Sequence, residues 1–431
     1  MFRGSENPPK LMKKIFVLFL TGVFLIETGI LYSAETLSLD SIVKETRQKN
    51  PEILAAKKNW EASLERVPQA KSLEAPTIGL KFEKMSGGPF QFNKAMPEDR
   101  MLSFSQFLPL FGKLSLKGKI ALVESQMYAA EYKNKELEVI NAVKNAYYDL
   151  FMNYKEIELN EQSLEFLKGI ANISEAKYIV GETGQADLFK INLEIASLSN
   201  KIVNLRQEQS AKVARVNTLL SRDPESPLGV PELSEDAALN KDINSLYKYT
   251  LENQPELLIF SYAIERNKYA KSLAERNLFP DLMAGITLRG ITAGSIGLWD
   301  LMLAFTMPFW FWTKQRYEIK EAIANLDQAR AAYEAMKNKA LFETKDLATK
   351  IEIARNNIGL YRNSLIPLVE GSINSSSAAF RSGKGDLMAL LDNERMLIDT
   401  EINYYNMLVE YNTNLADLER TVGLELTETQ K

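Results

Sequence analysis

The residues best placed to do chemistry in this chain are carboxylates beside two glycine-bounded turns. Asp187 follows Gly181-Glu182-Thr183-Gly184, and Asp386 and Asp392 follow Gly383-Lys384-Gly385, with Arg381 and Lys384 alongside. Carboxylates gathered at such a place attract cations and resist one another's approach. They serve equally as solvated turn residues and helix caps, Asp386 being a favourable acid for a first helical turn. Thioethers are the second candidate. Met85, Met96 and Met101 fall between two strand-like segments, where they offer either a soft-metal contact or ordinary loop and strand packing. The acid pairs Glu136/Glu138 and Glu156/Glu158 are most simply solvated helix faces.

The same inventory excludes a great deal. The 431 residues contain no histidine and no cysteine, which removes imidazole acid–base catalysis, thiolate nucleophiles, disulfides and thiolate metal sites. There is no Gly-x4-Gly-Lys-Ser/Thr loop and no Gly-x-Ser-x-Gly elbow, the patterns of nucleotide binding and of serine hydrolases. Neither an enzyme nor a bound cofactor or resident metal is expected. The 52 basic and 56 acidic side chains leave a net charge of −4 and are interspersed, which disfavours a nucleic-acid partner.

What positions the charged turns is a chain built for export. Lys10, Lys13 and Lys14 precede an apolar stretch from Ile15 to Ile26, closed by Ser33 and Ala34. This order reads as a secretory signal peptide over residues 1–34, the alternative being an N-terminal membrane anchor. Beyond it no apolar run reaches the 18 or so residues of a spanning helix, so an exported product is either soluble or a β-barrel. The remainder falls into two similar parts. Asn50-Pro51-Glu52-Ile53-Leu54 recurs as Gln254-Pro255-Glu256-Leu257-Leu258, and Pro76 recurs as Pro280 at the same offset. A period this long is duplication of a whole unit rather than a solenoid. The spacing gives a first repeat over 35–222, a turn-rich linker over 223–241, a second repeat over 242–424 and a tail over 425–431.

Each repeat alternates two short strands with two long helices. Period-two patterning predicts strands near 76–84, 101–108, 281–289 and 298–307, each about the length of a barrel strand; a half-buried sheet in a soluble protein patterns the same way. From Lys113 to Tyr178 there is no proline, and Ile140, Val143, Tyr147, Leu150, Tyr154 and Ile157 recur in steps of three and four, the coiled-coil spacing. Long helices are therefore expected over 113–178 and 314–380, returning after the glycine turns as helices over 185–220 and 386–422. Four strands cannot close a barrel, and an open apolar sheet aggregates, so lipid-facing strands require several chains to share one barrel. Phe107 and Phe111, then Phe309, Trp310, Phe311 and Trp312, gather where strands meet long helices. They suit an interfacial girdle or a buried aromatic core.

In this order and at these spacings the motifs resemble the outer membrane efflux proteins typified by TolC, over about Thr36 to Leu424. The marks are Asn50-Pro51-Glu52, Phe107-Leu108-Pro109-Leu110-Phe111-Gly112-Lys113, Gly181 with Asp187-Leu188, Leu219-Leu220-Ser221-Arg222-Asp223-Pro224, and Leu391-Asp392-Asn393-Glu394-Arg395. Met85-Ser86-Gly87-Gly88-Pro89-Phe90 and Pro109-Leu110-Phe111-Gly112-Lys113 look most like heavy-metal efflux channels of the CusC/CzcC type. The resemblance implies a mainly α chain with a small membrane β-barrel: a homotrimer forming a 12-stranded outer-membrane barrel on a long periplasmic α-barrel. It further implies a passive exit duct for metal ions or small toxic compounds, fed by a periplasmic adaptor and an inner-membrane pump of the RND type. A pore-less periplasmic coiled-coil adaptor is the alternative, as is, among ducts, one for type I protein secretion.

The resemblance also assigns the charged turns to the periplasmic aperture. In the family the second turn reads Gly-x5-Asp-x2-Asp; here Ala389 takes the first aspartate position and Asp392 the second, with Asp386 three residues before Ala389. Asp187 matches the aspartate that latches the closed tip to a neighbouring Tyr and Arg. Those positions hold Phe380 and Gly385 here, which leaves Arg381 or Lys384 as candidates for the cation.

Overall fold

The computed structural model describes residues 36–83, 100–233, 239, 241–291 and 296–426. The expected signal segment lies outside them, as do Met85, Met96 and the tail beyond Leu426. The first part runs β1 (Thr36–Leu37), α1 (Leu39–Lys49), α2 (Pro51–Lys71), β2 (Thr77–Phe82), β3 (Arg100–Leu108), α3 (Lys113–Ile179) and α4 (Gln185–Leu219). The second runs β4 (Val230–Pro231), α5 (Ile243–Asn253), α6 (Pro255–Arg276), β5 (Asp281–Arg289), β6 (Leu298–Thr306) and α7 (Gln315–Leu360). A π-turn (Tyr361–Leu365), α8 (Ile366–Arg381) and α9 (Leu387–Val422) complete it.

The recurring Pro-Glu step has a local cause. Pro51 and Pro255 stand at the first helical positions of α2 and α6, where the missing N–H is no loss and the fixed φ is already helical. Asn50 caps α2 by accepting the N–H groups of Glu52 at 2.9 Å and Ile53 at 3.4 Å. Its amide donates to the Leu219 carbonyl at 3.0 Å, so one cap also fixes the end of α4.

At 67 residues α3 extends about 100 Å. No helix among the described residues is long and apolar enough to cross a membrane. The bundle is held at separate stations along its length. Ile42, Val143, Tyr147, Leu150, Val216 and Leu220 form one core, joining α1, α3 and α4. Leu246, Ile351, Tyr411, Leu415 and Leu418 form another, joining α5, α7 and α9. Leu167, Ile170, Ile191, Ile373, Phe380 and Leu390 form a third beside the two turns. Midway, β1 pairs parallel with β4, Thr36 opposite Val230 and Leu37 opposite Pro231. The Tyr147 hydroxyl lies 2.7 Å from the Leu37 carbonyl and 2.6 Å from that of Glu232, and accepts the Glu232 N–H at 2.9 Å. Burial pushes this phenol up to about 12, so it stays a neutral clamp on both segments.

The other strands form one antiparallel sheet in the order β2-β3-β5-β6. Met101, at the expected start of the second strand, lies inside β3, in register with Lys81 and Arg289. Pairing with both neighbours carries β3 one residue beyond the expected start, and the methionine is buried on the sheet.

Candidate functional site

The register sorts the four strands into two chemically distinct faces, because residues directly opposite one another share a side. One row reads Ile78, Phe104, Ile286, Leu301, and the next Leu80, Leu102, Leu288, Trp299. The alternate rows read Gly79, Ser103, Thr287, Asp300, then Lys81, Met101, Arg289, Leu298. The first face is apolar and open: Leu80 is 72% exposed, Ile78 70% and Trp299 68%. The second carries hydroxyls, glycines and charges, with Arg289 paired to Asp300 across β5 and β6. Gln106, which interrupts the alternation as sequence, sits on the apolar face. Its amide is satisfied by the carbonyls of Glu74 at 2.8 Å and Phe107 at 3.0 Å.

At the end of the sheet where the long helices begin, five of the predicted aromatics are exposed, Phe111, Phe309, Trp310, Phe311 and Trp312, whereas Phe107 is half-buried within β3 on the face of Ser103 and Ser105. Phe311 and Trp312 meet edge to face with centroids 4.8 Å apart. Phe111 instead packs at a tilt against Phe279, centroids 4.9 Å apart, a partner from the second part of the chain that no local pattern announces. Phe111 and Gly112 both adopt left-handed backbone, with φ of 56° and 75°, and this turn drops Lys113 into the interior. Its ammonium donates to Asp281 Oδ2 at 2.8 Å and to the Phe279 carbonyl at 2.9 Å, while Asp281 Oδ1 accepts the Leu110 N–H at 3.0 Å. With Lys113 5% exposed, this largely buried pair ties the start of α3 to the start of β5.

The two glycine turns lie at the far end of the helices, and both contribute to one core. Phe380 is buried there. Lys177, from the last turn of α3, donates to the Phe380 carbonyl and lies 4.6 Å from its ring centroid. The cation beside Phe380 comes from the other hairpin, a contact separate from the latch to a neighbouring hairpin for which the sequence suggests Arg381 or Lys384. Both of those are exposed. A Cβ on Gly385 would stand 2.7 Å from the Phe380 amide nitrogen, a steric reason for glycine at that position. Asp187 is held within its own turn, accepting from Thr183 Oγ1 at 2.8 Å, with Lys190 at 4.0 Å. Asp386 is the N-cap residue of α9, without a side-chain cap bond. Asp392, on the exposed side of α9, is 3.7 Å from Arg395, whose guanidinium grips Glu194 of α4 at 2.5 Å and 3.1 Å. On the opposite side of α9 Glu394 is buried, and desolvation raises its pKa against a hydrogen bond from Ser163. Lys177, Arg395 and Glu394 escape a reading confined to the turns, although Lys177 is the one basic residue in the last turn of α3. Among the described residues no group of acidic side chains is placed to hold a metal ion.

A two-faced sheet continuous with such helices has known counterparts. CusC, in a structure concerned with transmembrane channel formation, superposes with a TM-score of 0.77 at 16% identity, over 90% of this chain and 92% of that one. The cobalt-zinc-cadmium resistance protein CzcC of Cupriavidus metallidurans is 18% identical over 317 residues, 73% of this chain and 75% of that protein. Outer membrane protein OprJ of Pseudomonas aeruginosa is 22% identical over 347 residues, 78% of this chain and 70% of that protein. An uncharacterised Haemophilus influenzae protein is matched over little more than half of its length, 56%, at 21% identity. The outer membrane efflux protein family itself matches residues 42–222 and 246–424, nearly all of the described chain, so this chain belongs to that family.

Proposed function

We propose that the chain is one third of a passive exit duct in the outer membrane. Three copies close a 12-stranded β-barrel, four strands each, continuous with a periplasmic α-barrel. Substrates, either metal ions or small toxic compounds, arrive from an inner-membrane pump of the RND type through a periplasmic adaptor. The observation that carries this reading is the sheet. It is apolar on one face and polar on the other, and among the described residues β2 and β6 each have a single partner strand. Open edges beside an apolar face invite uncontrolled pairing; closure against copies of itself satisfies the edges and gives the apolar face to lipid. The polar face, with Lys81, Ser103, Thr287, Arg289 and Asp300, then lines water. Phe111 and Phe309 to Trp312 mark the membrane boundary.

Duplication supports the same architecture: α1 and α5 have 11 residues each, α2 and α6 have 21 and 22, and α4 and α9 have 35 and 36. Around a three-fold axis Asp187, Asp386 and Asp392 become rings of charge at the aperture, with Arg381 and Lys384 beside them. A pore-less adaptor would have no use for an apolar-out sheet. The test is fractionation followed by electrophoresis with and without heating. Outer-membrane, heat-modifiable trimers that conduct ions in planar bilayers are the expected result, and a soluble periplasmic monomer overturns the proposal.

A further inference from the structure

Beneath the aromatic girdle the helix ends carry a charge that their own electrostatics disfavours. From Lys113 to Val123 the chain has three lysines and no acid, the first carboxylate being Glu124, and α3 has no acidic residue in its first turn. The other long helix opens with Lys314, Arg316 and Lys320 against Glu318. A helix N-terminus is the positive end of its dipole, and cations there are unfavourable. Asp281 answers this for Lys113 alone, inside the protein. Lys117, Lys119, Arg276, Lys314, Arg316 and Lys320 are exposed, in a chain whose net charge is −4. The intramolecular partners they have are weak or leave the charge facing solvent. Lys314 is 4.0 Å from Glu318 with its side chain 70% exposed, and Lys119 and Lys320 lie over the rings of Tyr269 and Tyr317 at 5.4 Å and 5.3 Å. Arg276 donates to the Phe111 carbonyl at 2.5 Å, which places its guanidinium at the girdle itself.

We propose that these helix ends form a basic collar that binds the anionic phosphates of phospholipid headgroups on the helical side of the membrane. The inference rests on the duct reading, which puts Phe111 and Trp310–Trp312 at the membrane boundary. Two separate features point to the occupant. The collar adjoins exposed aromatics of the kind that settle at headgroup depth. Its long side chains can also keep their stems on apolar surface while the charged heads reach phosphate. An anionic surface supplies the negative charge that is missing from the start of α3 and outnumbered at the start of α7, roughly a fivefold preference per nearby cation at low salt.

The assembled full-length channel, reconstituted in nanodiscs of mixed phosphatidylglycerol and phosphatidylcholine, tests this through native mass spectrometry of the retained lipids. Phosphatidylglycerol should be enriched several-fold over its bulk fraction at low salt, and the enrichment should fall as ionic strength rises. The variant Lys117→Gln/Lys314→Gln/Arg316→Gln should lower it several-fold, back towards the bulk fraction, while Lys201→Gln/Lys339→Gln/Lys350→Gln, three exposed lysines further along the helices, should leave it unchanged. Equal retention of the two lipids, or equal loss in both variants, overturns the collar. Trimers that insert and conduct without lipid preference remove the collar and leave the duct standing. Failure to insert in either lipid removes both.

Discussion

The two long helices have the same length and opposite mechanical character. The 46, 5 and 16 residues of α7, the π-turn and α8 together equal the 67 of α3. α3 is unbroken and begins with a buried lysine locked to Asp281. α7 begins in an exposed aromatic turn, and its line is interrupted at Tyr361–Leu365. The cause is Pro367, which has no N–H to give and would press its ring on the carbonyl of Asn363 in a regular helix. A widened turn, in which the Ile366 N–H reaches the Tyr361 carbonyl, makes room. Arg362 spans from it to α9, its guanidinium donating to the Tyr404 hydroxyl at 2.8 Å. One long helix is a continuous strut, and the other carries a widened turn above its tip. π-turns commonly mark such functional breaks.

The largest expected effect tests the strut. Asp281→Ala leaves the Lys113 ammonium buried without its counter-ion and should destabilise the protein by about 3–5 kcal/mol. Glu318→Ala, at the matching start of α7, removes only an exposed contact and should cost about 0–1 kcal/mol. Chemical unfolding in detergent compares them, and similar losses would abolish the contrast. Next is the widened turn. Pro367→Ala should let the π-turn relax to α-helix and slow amide exchange at 361–366 by roughly tenfold or more, for a local gain of about 1–3 kcal/mol; unaltered exchange would show that the proline does not set the break.

A third prediction concerns Glu394, which faces Ser163 of α3 and adds its field to Glu370 on Glu401. Its folded pKa is raised, so the folded state holds the proton more tightly than the unfolded one. Stability from this site is complete below the ordinary carboxylate range and is lost as pH rises through the raised value. Protease nicking of the second hairpin tip should increase with pH in the parent and respond less in Glu394→Gln; parallel pH profiles would refute this. Smallest in energy are the aspartates of the glycine turns. Asp392→Ala should lower cation selectivity and Asp187→Ala should raise single-channel conductance, each with under about 1 kcal/mol change in stability. An Asp187/Asp386/Asp392 triple alanine channel with parental conductance and selectivity would place the gate elsewhere.

What the sequence made legible follows the range of the interactions. Ile286 and Leu288 alternate with Gly285 and Thr287, so β5 shows itself locally, and proline-free spacing reveals α3 from Val143 to Ile157. The pairing of Lys113 with Asp281, of Lys177 with Phe380 and of Phe111 with Phe279 joins residues far apart in the chain, and no period encodes that. The helices α1, α2, α5 and α6 had a usable signal in Asn50-Pro51 and Gln254-Pro255, which mark helix starts as well as repetition. Pro367 announces a break in the second long helix without revealing that the chain passes through it by widening rather than stopping. At the two glycine turns the charged residues could be named from sequence, but not their partners. Asp187 turns to Thr183 in its own loop, and Asp392 to Arg395 on its own helix.

The small parallel ladder between β1 and β4 sets a timetable. Thr36 and Leu37 are among the first described residues to be made, yet their partners Val230 and Pro231 follow only after the whole first hairpin. Tyr147 can meet the Leu37 carbonyl early, but its bonds to Glu232 must wait for the linker. Closing so distant a contact is slow. The first repeat therefore completes its clasp only once the linker that follows it has been made.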